Sequence, residues 1–209
     1  MLQSLTSKGS KVPVRALSMQ EDELARALRA LGMITRWEWM ATFDITGTKC
    51  ISLRTDMLSD RTDPDQTILD HWQSGASVII HHNHPSDESL SCADWNAMLN
   101  FSVSEIFAHT TDGSCFYGKL LDPAAAGASL VNFDAAGDAG ESVLISANLG
   151  HPQALTHSAG FLRKHVVAAA LASAGHVDYQ FSLGPVWQAA LSPWAQTLPL
   201  AIQAAAKKL

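Results

Sequence analysis

Three histidines within four positions end an apolar run at residues 77–84, SVIIHHNH. Residues two apart in a β-strand point to the same side, so His82 and His84 are predicted to share one side and His81 the other. Imidazole nitrogen is a common zinc ligand, and two imidazoles directed at one point supply half of a four-coordinate site. The spacing therefore predicts a metal site at the end of a buried strand.

A carboxylate that can complete the ligand set lies ten positions after His84. Asp94 is predicted at the start of a helix, and a strand–loop–helix turn can fold it back onto the histidines. Pro85 cannot continue a central strand, so it turns the chain outward where such a site has to open. We predict His82, His84 and Asp94 as ligands of Zn²⁺. The alternative is that the histidines are ordinary hydrogen-bonded residues at a strand end.

Ser91 allows two interpretations because it precedes Asp94 by three residues. This spacing is typical of a capping box, with Ser91 as the N-cap and Asp94 in the first turn of a helix. A hydroxyl one turn from a metal-binding carboxylate can also donate a hydrogen bond to a developing oxyanion. The same side chain can do both, and the sequence leaves both open.

The elements that have to position these residues alternate between helical and extended patterns. Ser18 and Glu21 have capping-box spacing and begin a predicted helix that ends at Gly32. We expect an α/β fold with a mixed, curved β-sheet flanked by helices. Periodicity and an Asp-Gly turn predict strands at 37–43, 50–54, 76–82, 105–110 and 115–121, and helices at 65–74 and from 91 onward.

Changes in composition divide the chain into four predicted parts. Residues 1–17 are predicted to be a flexible arm, and residues 18–122 carry the periodic patterns of the main domain. Residues 123–151 are rich in Ala, Gly and Asp with little periodicity, which predicts a linker or mobile loop. Residues 152–209 are Ala-rich and predicted to be a mostly helical extension, whose function no motif indicates.

The composition restricts location and partners. Fourteen basic residues against 20 acidic ones give a net charge of −6, which disfavours nucleic acid as a partner. The three cysteines, Cys50, Cys92 and Cys115, are odd in number and far apart, which indicates a reducing compartment rather than a disulfide framework. The sequence shows no signal-peptide pattern and no apolar segment long enough to span a bilayer. We expect a cytoplasmic protein with no membrane partner.

The segment 81–94, HHNHPSDESLSCAD, resembles the metal loop of the JAMM (MPN+/JAB) zinc metallopeptidases, written H-x-H-P, a spacer and S-x-x-D. Its HNHPS part is most similar to the bacterial RadC-like branch of that family. The resemblance covers residues 19–122, judged by the order of elements. The spacer differs, because residues 86–90 give five positions between Pro85 and Ser91 where the family has six. The loop is therefore expected to be one residue tighter.

The resemblance implies a JAB/MPN-like fold, similar to that of cytidine deaminases, around a zinc site. In this family the two histidines and the aspartate bind the metal and the serine supports the oxyanion. Carried over, the metal ligands are His82, His84 and Asp94, and the oxyanion residue is Ser91.

The resemblance also implies a glutamate on an early strand that activates the zinc-bound water. Glu38 stands at that place, directly after the first predicted helix. Glu21 and Glu23 lie on that helix and are expected to face solvent. Glu88, in the loop, is an alternative to Glu38.

The implied activity is hydrolysis of a peptide or isopeptide bond, with a protein substrate. The family commonly cuts at the C-terminal tail of ubiquitin or of a ubiquitin-like modifier. A second hypothesis is a RadC-like non-catalytic module, linked to DNA or to a larger complex. A third is a metallohydrolase that acts on small molecules. The complete ligand set and the acidic balance favour the first hypothesis. The sequence leaves the oligomeric state open, a homodimer included.

Overall fold

The structure, a computed structural model, describes residues 14–147 and 153–209 of the chain. A mixed sheet of six strands, flanked by helices, has the strand order β2-β1-β3-β4-β5-β6. This confirms the predicted α/β class with a mixed sheet. The strands are β1 (Met40–Asp44), β2 (Cys50–Arg54), β3 (Val78–Asn83), β4 (Val103–His109), β5 (Cys115–Leu120) and β6 (Val177–Ser182).

The strand that carries the histidines, β3, lies inside the sheet and is buried along its whole length. It pairs antiparallel with β1, which places Met40 opposite His82. It pairs parallel with β4, which places His109 opposite Asn83. The other neighbouring pairs are antiparallel. Because β3 is paired on both edges and buried on both faces, it is a rigid support for the residues at its C-terminal end.

Helices cover the sheet, and the apolar residues of the strands are divided between two clusters. Alternate residues of β3 enter different clusters, Ile79 in one and Val78 and Ile80 in the other, as strand periodicity requires. The smaller cluster includes Leu28 of the first helix. The helices are α1 (Met19–Thr35), α2 (Gln66–Gln73), α3 (Cys92–Asn100), α4 (Pro123–Leu130), α5 (Phe133–Ala147), α6 (Gln153–Ser173), α7 (Pro185–Leu191) and α8 (Leu198–Ala206).

The capping box predicted for the first helix is confirmed, but its predicted end is wrong. The Ser18 side chain accepts a hydrogen bond from the backbone N–H of Glu21, and the Glu21 side chain accepts from the backbone N–H of Ser18. The helix continues past Gly32 to Thr35 and ends where Arg36 adopts a left-handed conformation, with φ of 61°. A Cβ on Gly32 would lie 2.2 Å from the side-chain nitrogen of Asn83. The glycine therefore serves close approach to the sheet and not helix termination.

The linker or mobile loop predicted for residues 123–151 is wrong over most of its length. Residues 123–130 and 133–147 are the helices α4 and α5. The Asp122 side chain caps α4 by accepting from the N–H of Ala125. The small residues that suggested a loop allow close helix packing, because a Cβ on Gly140 would lie 2.6 Å from the Val166 side chain of α6. Residues 148–151 of that prediction lie outside the described part.

The prediction of a mostly helical extension at 152–209 misses β6. This strand pairs with β5, with Phe181 opposite Phe116, and its residues alternate between buried and half-buried. The larger apolar cluster runs without interruption from Trp95 of α3 to Trp187 of α7. The described C-terminal residues are therefore part of the same core as the elements before residue 122.

Two further expectations concern the N-terminus and the membrane. Most of the arm predicted at 1–17 lies outside the described residues, and Arg15 within it forms ion pairs with Glu21 and Glu105. Across residues 14–147 and 153–209, no helix combines the length and apolar character needed to cross a bilayer.

Candidate metal centre

The three predicted ligands meet beside the C-terminal end of β3. His82 lies within this strand, His84 follows its last residue, and Asp94 lies in the first turn of α3. The His82 Nε2 atom is 2.8 Å from His84 Nε2 and 3.1 Å from Asp94 Oδ1. The His84 Nε2 atom is 3.6 Å from Asp94 Oδ2. The side chains are 3%, 9% and 13% exposed, so the cluster is shielded from bulk water.

These separations place the three ligand atoms around one point, and two of them are somewhat shorter than the spacing around a zinc ion. Nitrogen and oxygen ligands about 2.0–2.2 Å from a tetrahedral zinc ion lie about 3.3–3.6 Å from one another. The ligand atoms of His82, His84 and Asp94 all lie within 4.8 Å of one another. Three protein ligands also leave a fourth position for water or substrate, as in catalytic zinc sites. This donor set could hold a metal ion.

The tautomer of His84 is determined by its second ring nitrogen. His84 Nδ1 is 2.9 Å from the backbone oxygen of Glu88, which can only accept a hydrogen bond. Nδ1 therefore carries the proton, and Nε2 presents its lone pair to the other ligands. Burial and the neighbouring His82 lower the pKa of His84 to about 4. The ring is then neutral at neutral pH, as a metal ligand has to be.

Asp94 supplies the negative charge of the cluster. Burial opposes ionisation, but the two histidines and the N–H of Ser91 lower the pKa of Asp94 below its ordinary range. Burial likewise opposes protonation of His82, yet the Asp94 carboxylate raises the pKa of His82 above its ordinary value. A proton on His82 thus balances the Asp94 carboxylate, and a bound cation would replace that proton.

Glu38 lines the cleft that leads to the ligands. This cleft has a volume of about 470 Å³ and is also lined by His84 and Ser91. Glu38 lies two residues before β1 and not inside the strand predicted for 37–43. Its backbone N–H donates to the carbonyl oxygen of Leu58, at 2.7 Å, outside the strand ladder.

The pKa of Glu38 is suited to proton transfer. Burial and the carboxylates of Asp94 and Asp60 raise the pKa of Glu38 to about 7, although His82 acts in the opposite direction. A carboxyl group whose pKa lies near the working pH can both accept and donate a proton. The structure thus brings the predicted base to the cleft that His84, one of the predicted ligands, also lines.

Asn83, between the two histidines, positions Glu38 and was missed by sequence reasoning. Its side-chain oxygen accepts from the N–H of Trp39, at 2.8 Å, and its side-chain nitrogen donates to the carbonyl of Trp37, at 3.1 Å. Both backbone neighbours of Glu38 are therefore tied to the strand that carries the ligands. The available signal was an amide side chain at the end of a buried strand, which requires hydrogen-bond partners.

Ser91 occupies the capping position that its spacing predicts. Its hydroxyl donates to Asp94 Oδ2, at 2.8 Å, and accepts from the Asp94 N–H, at 3.3 Å. The Ser91 N–H donates to the same carboxylate oxygen, at 2.6 Å. The two bonds that Ser91 donates to Oδ2 fix that oxygen and leave Oδ1 facing His82. Ser91 also lines the cleft, so its hydroxyl can reach a substrate once the O–H bond turns away from Asp94.

The five-residue spacer closes by placing one residue in a left-handed conformation. Asp87 has φ of 60°, and its N–H donates to the carbonyl of His84, at 2.9 Å. The Asp87 carboxylate accepts from the N–H and the hydroxyl of Thr111, at 2.6 and 2.7 Å. The shorter spacer is thus compatible with convergence of the ligands.

The expectation that Glu21 faces solvent is wrong. Glu21 is fully buried, and its carboxylate contacts Arg15, at 2.6 Å, and Nε2 of His81, at 3.2 Å. His81 Nδ1 contacts His109 Nε2, at 3.0 Å. This network lies on the α1 side of the sheet, away from the metal ligands. The signal was His81 itself, since an imidazole on the helix side of a buried strand needs a partner there.

Helix α6, in the C-terminal third of the chain, also contributes to the site. Nothing in the sequence indicated this contribution. Lys164 lines the cleft and forms an ion pair with Glu88, at 2.7 Å. A second cavity of about 450 Å³ shares Ser91, Glu88 and Lys164 with the first. The cleft therefore extends from Glu38 past Ser91 toward α5 and α6. Glu88, the alternative base, is held by this ion pair.

Comparisons with protein-family models, curated proteins and solved structures found no match for this chain.

Proposed function

We propose that this protein is a zinc-dependent hydrolase of amide bonds, of the JAMM type with a JAB/MPN-like fold. One observation carries the proposal: His82, His84 and Asp94 converge beside a cleft that Glu38 also lines. The H-x-H-P and S-x-x-D spacing supports the JAMM type specifically. Zinc held there would act as a Lewis acid toward a carbonyl and lower the pKa of a water molecule to about 7.

The protein side chains would transfer the proton, stabilise the oxyanion and position the base. The Glu38 carboxylate accepts a proton from the attacking water and delivers it to the nitrogen of the leaving amine. Its raised pKa supports both transfers near neutral pH. The Ser91 hydroxyl donates to the carbonyl oxygen as negative charge develops there. Asn83 keeps the backbone on either side of Glu38 at a constant distance from the ligands.

The substrate class that we propose is the extended C-terminal tail of a ubiquitin-like modifier or its conjugate. β2 is an edge strand of the sheet, and the loop after it contributes Ser59 and Asp60 to the cleft. An extended peptide can add to such an edge through main-chain hydrogen bonds. The cleft continues on both sides of Ser91, which suits a chain that passes through it.

Metal content is the first test. We expect about one zinc per chain in the wild type, by elemental analysis after zinc loading and dialysis. His82→Ala is expected to lose that zinc, because two ligands cannot retain it. His71→Ala, on α2 and outside the cluster, is the matched control and should keep it.

Activity is the second test. Glu38→Gln is expected to retain zinc and to lower kcat on ubiquitin-like fusion substrates about 100-fold or more, since general-base catalysis contributes about that much. Equal turnover by Glu38→Gln would remove Glu38 as the base. A wild type that binds no zinc would contradict the hydrolase, and a RadC-like binding module would then be the better account.

A further inference from the structure

Three consecutive residues of the metal loop are each held by a different C-terminal element. The indole N–H of Trp187, on α7, donates to the carbonyl of Asp87, at 2.7 Å. Lys164, on α6, pairs with the Glu88 carboxylate, at 2.7 Å. The hydroxyl of Tyr179, on β6, lies 2.7 Å from the hydroxyl of Ser89. In each of these contacts the partner of the loop residue lies after residue 122.

The middle residue of the three has a direct link to the metal ligands. The Glu88 carbonyl accepts the Nδ1–H of His84, at 2.9 Å, and so sets the orientation of that ring. Groups that bind the second nitrogen of a ligating histidine orient its ring, and changing them typically weakens metal binding about 10- to 100-fold. The peptide of Glu88 is fixed on both sides, by a part-buried contact at Asp87 and a buried one at Ser89.

The contact at Ser89 is the most shielded of the three. Ser89 and His165 are fully buried and Tyr179 is 4% exposed. Nδ1 of His165 lies 2.8 Å from the Tyr179 hydroxyl, so the phenol is held from both sides. Nε2 of His165 is buried without a hydrogen-bond partner among the described residues. Ser89, Tyr179 and His165 thus form one buried hydrogen-bonded chain, with the Tyr179 hydroxyl at its centre.

We propose that the C-terminal segment 164–187 positions the metal loop, with Tyr179 as its main positioning residue. The proposal rests on the zinc site proposed above. Tyr179 touches neither ligand nor substrate. It acts through Ser89 and the Glu88 carbonyl on the ring of His84. Residues 164–187, which carry no recognisable motif, would then help to orient the metal ligand His84.

The test is zinc affinity of the full-length chain, by competition with a chromophoric chelator. Tyr179→Phe removes one oxygen and keeps the ring. We expect zinc to bind about tenfold more weakly, the lower end of the effect of residues behind metal ligands. Tyr117→Phe is the matched control, because Tyr117 is buried at 3% exposure in β5 and contacts Glu105 away from the loop. It should bind zinc as the wild type does.

A second variant and a spectrum separate positioning from general loss of stability. Lys164→Met, at a side chain that is 31% exposed, should fold and weaken zinc binding several-fold. Cobalt-loaded Tyr179→Phe should show altered visible bands, whereas Tyr117→Phe should not. If Tyr179→Phe does not fold, the zinc affinity of Lys164→Met alone tests the proposal.

Each outcome separates this inference from the proposed function. Wild-type affinity in both Tyr179→Phe and Lys164→Met overturns the inference and leaves the zinc site intact. Equal losses in Tyr179→Phe and Tyr117→Phe also overturn it, since the effect would then be one of stability alone. Wild-type protein that binds no zinc overturns both.

Discussion

Glu21 shows how much a single buried carboxylate contributes at the scale of the residue. Burial alone would raise its pKa, but hydrogen bonds from His81, Arg15 and the N–H of Ser18 lower the pKa to about 2 from 4.5. The ionised form is therefore stabilised by folding. This contribution is present above pH 4.5 and is lost as the pH falls through the folded value.

The change Glu21→Gln tests that contribution. We expect the variant to be less stable than the wild type by about 3 kcal/mol at pH 7, because it removes the buried carboxylate that Arg15 and His81 contact. The difference should shrink at pH 3, where the wild-type contribution is partly lost. Urea unfolding at both pH values measures it. Glu23→Gln, exposed on the same helix, should leave stability nearly unchanged. A deficit that does not change with pH would contradict the assignment.

The contact of α1 with β3 decides, at the scale of the element, where Glu38 lies. Gly32 lets the helix approach the Asn83 side chain, and Asn83 in turn holds the backbone on both sides of Glu38. A helix that carries no metal ligand thereby controls, through the strand that does, the distance between the base and the ligands.

Two helical glycines give a matched comparison of this contact. Gly32→Ala would place a Cβ 2.2 Å from the Asn83 side chain, so we expect a loss of about 1–3 kcal/mol and reduced turnover. Gly127→Ala in α4 would meet Leu99 at an ordinary 3.5 Å. It should gain about 0.5–1 kcal/mol, as alanine does in an open helix. Thermal unfolding measures the stability of both variants relative to the wild type. A Gly32→Ala variant more stable than the wild type would contradict the close approach of Gly32 to Asn83.

At the scale of the whole molecule, the hydrophobic core extends across the domain boundary that the composition predicts after residue 122. The larger apolar cluster includes Phe116 of β5, Tyr179 of β6 and Trp187 of α7. Phe116 and Trp187 have ring centroids 4.8 Å apart. The sheet and its C-terminal cover therefore share one hydrophobic core.

A chain that ends at Asp122 tests this unity. Without β6 and α4 to α8, β5 becomes an exposed edge and one face of the sheet loses its cover. We expect this fragment to show no cooperative urea transition and to bind hydrophobic dye, in contrast to the full chain. A cooperative transition with retained zinc binding would show that residues 18–122 fold independently.

The sequence by itself determined the parts of the site that depend on local spacing. Strand periodicity put His82 and His84 on one side, and the S-x-x-D spacing predicted the cap that holds Asp94, both as observed. The capping box at Ser18 and the strand that carries the histidines were predictable for the same reason. Each of these features is set by residues within a few positions of one another.

Only the tertiary structure decided which distant residues complete the site. Glu21 is buried because Arg15 and His81 surround it, and Tyr179 reaches Ser89 across 90 positions of chain. The helix at 133–147 packs its small side chains closely against α6, a partner that local composition does not reveal. Such contacts depend on the relative placement of elements, and no periodicity or spacing in the sequence encodes that placement directly.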